Sequence, residues 1–321
     1  MSGLSEAARE VLENGRLCYL SATTAHGPHL TPVVFVLNGE TVWATTARST
    51  AKARAWKSDP TAAGLVQHGE HAVAFRGRVT SYDALDPGTW RSAIGRAPDL
   101  MRAAARFTLK NARYFAGYAR DVRRLPLSWS PPARMMVEVD IEAGVLLDVD
   151  AGTVEDRWGR WGTRATGRPA FRPSRGSDLS GRGTVRDVRR TLGSSGQGAL
   201  GLLGSVGPVV LPVAWARAAS EGAYYAVLPR PFLAVAGAGS SPAAALVLDR
   251  TSTWRAARML GVLLQGNADV FIPRTVRSGR AALLRAAART GAPPSDPAVV
   301  RLRPQRAVWW KGWASGTVRR R

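Results

Sequence analysis

The chain has 321 residues, 45% of them hydrophobic, and a formal net charge of +22. That length exceeds one ordinary domain and that hydrophobic share excludes a disordered chain, so two globular domains are expected. A single cysteine, Cys18, excludes an internal disulfide and a cysteine metal site, and its apolar neighbours Leu17, Tyr19 and Leu20 predict a buried thiol. The positive charge is nearly all arginine and accompanies abundant Ala, Gly and Pro. This reads first as compositional bias and second as the footprint of an anionic partner, nucleic acid or an anionic membrane surface. The opening residues lack a basic segment followed by an apolar one, and no apolar run is long enough to span a bilayer, so a cytoplasmic location is expected.

In chain order, Ser5 to Glu13 reads as a capped helix with Ala8, Val11 and Leu12 on one face. Strands are predicted at Leu17–Thr24, Leu30–Leu37 and Thr41–Thr46, with turn residues at Ala25–Pro28 and a hairpin signal at Asn38-Gly39. Ser49 to Ser58 reads as a helix stopped by Asp59-Pro60. Two further strands fall at Ala62–Gln67 and Ala72–Ser81. Pro98 to Val122 reads as one long helix. Its stripe of Leu100, Ala104, Phe107, Phe115, Tyr118 and Val122 is expected to pack inward, with Arg102, Arg106, Lys110, Arg113 and Arg120 in solvent. An interfacial membrane helix is the alternative reading of this segment. Met135–Ile141 and Val145–Val149 return to strand patterning.

Short strands at this spacing predict a mainly β fold, of the α+β kind with helical inserts. Residues 151–184 are rich in Gly, Arg, Pro and Ser and read as a linker between a domain at 1–150 and a second at 185–321. The second domain echoes the first. Gly27-Pro28 followed by Pro32-Val33 matches Gly207-Pro208 followed by Pro212-Val213. Thr41–Thr46 matches Ala223–Leu228, Pro60–Val66 matches Pro242–Leu248, and Phe75–Val79 matches Met259–Leu263. Met136–Val149 and Val299–Lys311 end the copies, each as strand, turn and strand. Each copy carries a basic helical insert, at 98–122 and near 274–290.

The densest chemical signal runs from Thr45 to Pro60. A strand ends in threonines, a hydroxyl-rich turn opens a helix, and a lysine lies on its first turn. Free backbone N–H groups and the positive end of the helix dipole suit a phosphate there. Thr46, Ser49 and Thr50 supply hydroxyls, and Lys52 and Arg48 supply charge. The same residues read equally as a capped surface helix with ordinary basic side chains.

The order Gly27-Pro28, Pro32-Val33, Phe35, Asn38-Gly39, Trp43 to Thr46, Thr50, Lys52 and Asp59-Pro60 resembles the pyridoxamine 5′-phosphate oxidase-like FMN-binding split barrels. The resemblance covers about residues 7–82 well and the second copy more faintly. It implies two tandem split β-barrels, packed as an internal pseudo-dimer within a monomer or as a homodimer. It also implies FMN, or the deazaflavin coenzyme 420, in a groove between barrels. Thr46, Thr50 and Lys52 would take the phosphate, and Pro32, Val33 and Val34 would lie along the flavin ring. The implied activity is that of an oxidoreductase acting on a small-molecule substrate. The pyridoxal-phosphate substrate residues of the true oxidase have no counterparts here. The second copy has Leu228-Pro229-Arg230-Pro231-Phe232 in place of the phosphate motif, so one cofactor site, on the first copy, is expected. No residue is nominated as acid or base, and no metal is expected. All four histidines, His26, His29, His68 and His71, fall in the first copy beside turns; some relatives in this class handle haem, which is the alternative cofactor.

Overall fold

The computed structural model describes residues 3–121, 123, 133–161, 183–239, 242–250, 256–271 and 296–319. The insert expected near 274–290, most of the expected linker, and Val122 lie outside the described residues.

The fold is mainly β and consists of two sheet units in tandem. The first contains β1 (Cys18–Thr24), β2 (Gly27–Val33), β3 (Phe35–Asn38), β4 (Thr41–Ala47), β5 (Thr61–His68), β6 (His71–Tyr82), β7 (Arg134–Asp148) and β8 (Thr153–Gly159). The second contains β9 (Ser195–Gly204), β10 (Gly207–Ala218), β11 (Ala223–Pro229), β12 (Ala243–Arg250), β13 (Leu260–Phe271), β14 (Pro297–Lys311) and β15 (Ala314–Arg319). The first sheet runs β2-β1-β5-β6-β7-β4-β3, with β8 on β7. The second runs β10-β9-β12-β13-β14-β11 and closes through β11–β10, with β15 on β14. These are the same pairings strand for strand, except that β10 is continuous where the first unit has β2 and β3. The strand expected over Leu30–Leu37 is thus broken at Val34: β2 pairs only with β1 and β3 only with β4. The second unit closes into a barrel, whereas the first stays split at that break.

The linker expected from 151 instead opens with β8, which pairs with Ala143–Asp148, so the first sheet extends to Gly159. Strand β7 is also continuous, with no turn near 142–144. The pairing with β6 shifts between Arg76 and Gly77, leaving Glu142 as a bulge. Strand β14 bulges likewise at Gln305, where β13 shifts between Gln265 and Gly266. This register aligns Arg76-Gly77 with Gln265-Gly266 and corrects the match of Phe75–Val79 to Met259–Leu263.

The helices are α1 (Glu6–Asn14), α2 (Ala51–Ser58), α3 (Trp90–Gly95), α4 (Ala97–Lys110), α5 (Ala112–Arg120), α6 (Gly183–Leu192) and α7 (Arg230–Val235). Ser5 caps α1, its Oγ accepting from Ala8 N, and Ala8, Val11 and Leu12 are buried as expected. The long helix expected from Pro98 is interrupted at Asn111. Its Nδ2 donates to Phe107 O at 2.9 Å and to Phe35 O at 3.3 Å, so the side chain competes for the helix ladder while tying the turn to β3. Leu100 and Phe107 do face the barrel, but Ala104 is exposed.

The two units pack face to face. Strand β2 lies against β9, β12 and β13, while β10 lies against β1, β5 and β6. Leu30, Leu65, Ala74 and Leu147 of the first unit share one core cluster with Leu200, Leu211, Leu246 and Leu263 of the second. A Cβ at Gly201 would stand 2.8 Å from Leu30 Cδ2, which is why β9 approaches β2 closely only with glycine there. Each bulge also reaches across. Arg76 Nη1 donates to Val206 O, in the turn before Gly207, and Gln265 Nε2 donates to His26 O and Pro28 O, flanking Gly27.

Candidate functional site

Strand β4 and helix α2 assemble the predicted motif. Thr50 is extended (φ −70°, ψ 158°) and caps α2, its Oγ1 accepting from Ala53 N at 3.2 Å. Thr46 Oγ1 lies 3.1 Å from Thr50 Oγ1 and is buried. Lys52, on the first turn of α2, is 2% exposed. Its Nζ donates to Thr31 Oγ1 at 2.8 Å and to Leu20 O at 3.3 Å. The ammonium therefore turns into the wall formed by β1 and β2. Helix α2 packs on those strands, and their acceptors draw the side chain inward. Thr46 and Thr50 meet at the start of α2, while the Lys52 ammonium lies against β1 and β2, the latter carrying Pro32 and Val33. Arg48 turns away to Asp83, 2.7 Å from its carboxylate, and Ser49 is exposed.

The electrostatics of this pole are unusual. Burial, joined by the Arg134 guanidinium, brings Lys52 down to about 7, while the neighbouring Cys18 pulls the other way. Burial pushes the Cys18 thiol up to about 12, as suits an inert thiol. His29 is buried and held down at about 3, by burial first and then by Lys52 and Arg306. Its Nδ1 has no hydrogen-bond partner among the described residues. Cations thus gather here, and no described carboxylate bonds Lys52. Sequence reasoning missed Arg134 and Arg306. Arg134 Nη2 donates to Thr45 Oγ1 at 2.7 Å and to Thr45 O at 3.0 Å, while Arg306 reaches Gln265 Oε1 from the second unit. Both lie in strands of a chain full of arginine, Arg306 beside Arg301 and Arg303 in β14, so no local signal marked them.

The open cleft between the units lies on the opposite seam. It measures about 280 Å³ and is lined by Gln67 and Asp150 of the first unit with Gln197, Pro212, Val213 and Phe232 of the second. Pro212 and Val213 are the counterparts of Pro32 and Val33. Among the described residues, no lysine or arginine lines this cleft. In the turn between β14 and β15, the Trp313 ring meets Tyr118 of α5 edge-on at 4.9 Å. The phosphate-type residues and the open cleft, expected together, are on different seams.

The histidines do not act as one group. His26 and His29 lie on the seam near Arg306, and His68 pairs with His71 across a turn. His71 Nε2 is 3.3 Å from Glu155, and with Asp148 they form the one His–carboxylate cluster among the described residues.

The first unit is a split barrel, and the second repeats its pairing scheme as a closed one. Residues 5–105 match the family model of pyridoxamine 5′-phosphate oxidase, so the first unit is pyridoxamine 5′-phosphate oxidase-like; that match spans about a third of the chain. No curated protein matches the chain. Among solved structures, a pyridoxamine 5′-phosphate oxidase-related, FMN-binding protein from Nostoc punctiforme is 15% identical, with 49% of this chain and 90% of that one covered and a TM-score of 0.35. A conserved hypothetical protein from Mycobacterium tuberculosis is 19% identical (45% and 85% covered, TM-score 0.33). A heme binding protein from Mycobacterium smegmatis is 25% identical (39% and 53% covered, TM-score 0.30).

Proposed function

We propose that the chain binds a flavin nucleotide, FMN or the deazaflavin coenzyme 420, through the pole formed by Thr46, Thr50 and Lys52, and serves as an oxidoreductase for a small-molecule substrate. The observation that carries this reading is a buried ammonium whose two acceptors are neutral and whose charged neighbour is another cation. Such a group is costly to bury unpaired, and an anion beside it removes that cost. The residue types suit a phosphate chemically: the paired Thr46 and Thr50 hydroxyls, with Lys52 and the charge of Arg134 nearby. Access is the demand on the fold, because Lys52 must leave Thr31 and Leu20 to reach an anion.

A bound flavin would supply the hydride chemistry. The chain's own contribution is to anchor the phosphate, orient the ring along Pro32, Val33 and Val34, and exclude water with the packed seam. The family match over residues 5–105 supports the cofactor class. The shared pairing scheme, with bulges at matching places, supports reading the units as copies of one barrel, with the first ending after β8 and the second starting at α6.

The test is a fluorescence titration of the purified chain with FMN and with coenzyme 420. Binding that weakens by about tenfold or more in Lys52→Ala, with unchanged circular dichroism, is the expected result. Equal affinity in parent and variant removes the assignment. The absorbance spectrum of the same sample decides the haem alternative through the presence of a Soret band.

A further inference from the structure

Helices α3, α4 and α5 carry an apolar face that the barrels leave uncovered. Ile94 is 76% exposed, Leu109 76%, Met101 73% and Trp90 51%. On α4 the inward side chains are Leu100, Ala103 and Phe107, whereas Met101, Ala105 and Leu109 follow one another at four-residue spacing on the opposite, outward side. Trp90 and Ile94 repeat that spacing on α3. Exposed large hydrophobic residues grouped on one element mark an interaction surface rather than ordinary scatter.

Charge identifies the partner. Residues 90–120 contain seven basic side chains and one acidic one. Arg91, Arg102, Arg106, Arg113 and Arg120 are exposed on the same three helices. The single carboxylate, Asp99, is held by Arg96 at 3.4 Å and by Arg102 at 3.2 Å. An apolar stripe bordered by arginine, with a tryptophan beside it, matches the acyl–headgroup boundary of an anionic bilayer. A second copy of this face would set arginines against arginines. A nucleic acid would satisfy the arginines but leave Ile94, Met101 and Leu109 without an apolar partner. No helix among the described residues is long and apolar enough to cross a membrane, so the contact is with its surface.

We infer that α3–α5 form a docking face for anionic lipid surfaces, with Trp90, Ile94, Met101 and Leu109 inserted and the flanking arginines on the headgroups. The experiment is co-sedimentation of the full chain with vesicles of phosphatidylcholine alone and of phosphatidylcholine mixed with phosphatidylglycerol. The parent is expected to sediment with the mixed vesicles, less so as salt rises, and to stay free of the neutral ones. The triple variant I94D/M101D/L109D is expected to lose at least about tenfold in partitioning. Because all three side chains are exposed, its melting curve should match the parent's. R102A and R106A should each cost about fivefold. Equal partitioning of parent and triple variant overturns the inference, as does a parent that sediments with neither vesicle. A concentration-dependent dimer in sedimentation velocity, abolished by the triple variant, also overturns it and assigns the face to a second copy.

Discussion

Arg76 and Gln265 occupy the same bulge position in the two units, and each donates to the turn that opens the long second strand of the other. Arg76 also donates to Arg160 O at 2.8 Å, and Gln265 accepts from Arg306. The two contacts occupy matching bulges in the two pairing schemes. Register and seam are therefore fixed by the same residues.

Replacing either residue should loosen the seam. Gln265→Ala leaves the buried Pro28 carbonyl without this donor, which costs about 1–3 kcal/mol, and Arg76→Ala, whose acceptors are less buried, should cost about 1 kcal/mol. Denaturant midpoints would show it. The contacts share no partner, so the double variant should lose nearly the sum of the two. A double variant no weaker than either single one would show that the clasps do not act independently.

The glycine beside each bulge is a stricter case. A Cβ at Gly77 would lie 2.0 Å from Asp140 O, and one at Gly266 would lie 2.4 Å from Arg303 O. Both obstacles are backbone and cannot rotate away. Gly77→Ala and Gly266→Ala should each destabilise by several kcal/mol, on the order of the largest core substitutions. Gly239→Ala meets no neighbouring atom within 4 Å and serves as the control in the same thermal melts.

Lys52 makes stability depend on pH. Its folded value of about 7 lies below its ordinary value, so between the two the unfolded chain binds more protons. Its contribution to stability thus rises as pH increases from about 7 toward 10. Lys52→Met removes the buried charge and should raise the melting temperature at pH 6, with the advantage fading by pH 10. Each tenfold loss of proton affinity on folding corresponds to about 1.4 kcal/mol, and the unmet Thr31 and Leu20 acceptors offset part of the gain. An advantage that does not change with pH would mean that Lys52 does not titrate in this range.

The same group should govern phosphate affinity. An anion favours the protonated amine, which predominates in the free chain as pH falls below about 7. FMN affinity should therefore be highest at pH 6 and fall by up to about tenfold per pH unit above 7. Titrations at pH 6 and 8.5 measure this. Lys52→Arg, which stays charged throughout, should flatten the profile whatever its absolute affinity.

Much of the fold was legible because hydrophobic alternation and turn glycines act locally. Gly27, Gly39, Gly69 and Gly207 all have positive φ at turns of the sheets. A hydroxyl-rich turn announced α2, though the helix begins after its cap at Thr50 rather than at Ser49 as expected. What the sequence hid was set by tertiary contacts. The break at Val34 depends on β2 and β3 pairing with different strands. The bulges at Glu142 and Gln305 imitate turns in the sequence but continue as strand. The site was legible in its membership and not in its direction. Residue types brought Thr46, Thr50 and Lys52 together, but Thr31 and Leu20, on separate strands, decided where the ammonium points. The outward stripe on α4 was hidden because Met101 and Leu109 belong to an apolar set wide enough to suggest a different inward face.

Joining both barrels in one polypeptide frees the seams from copying each other. In a dimer of identical chains every substitution appears twice, so an aromatic plug at one groove would plug both. Here Trp313 meets Tyr118 on one side while Asp150 lines an open cleft elsewhere, and dilution cannot separate the two units. Asymmetry of this kind is open to a fused pair and closed to a strictly two-fold homodimer.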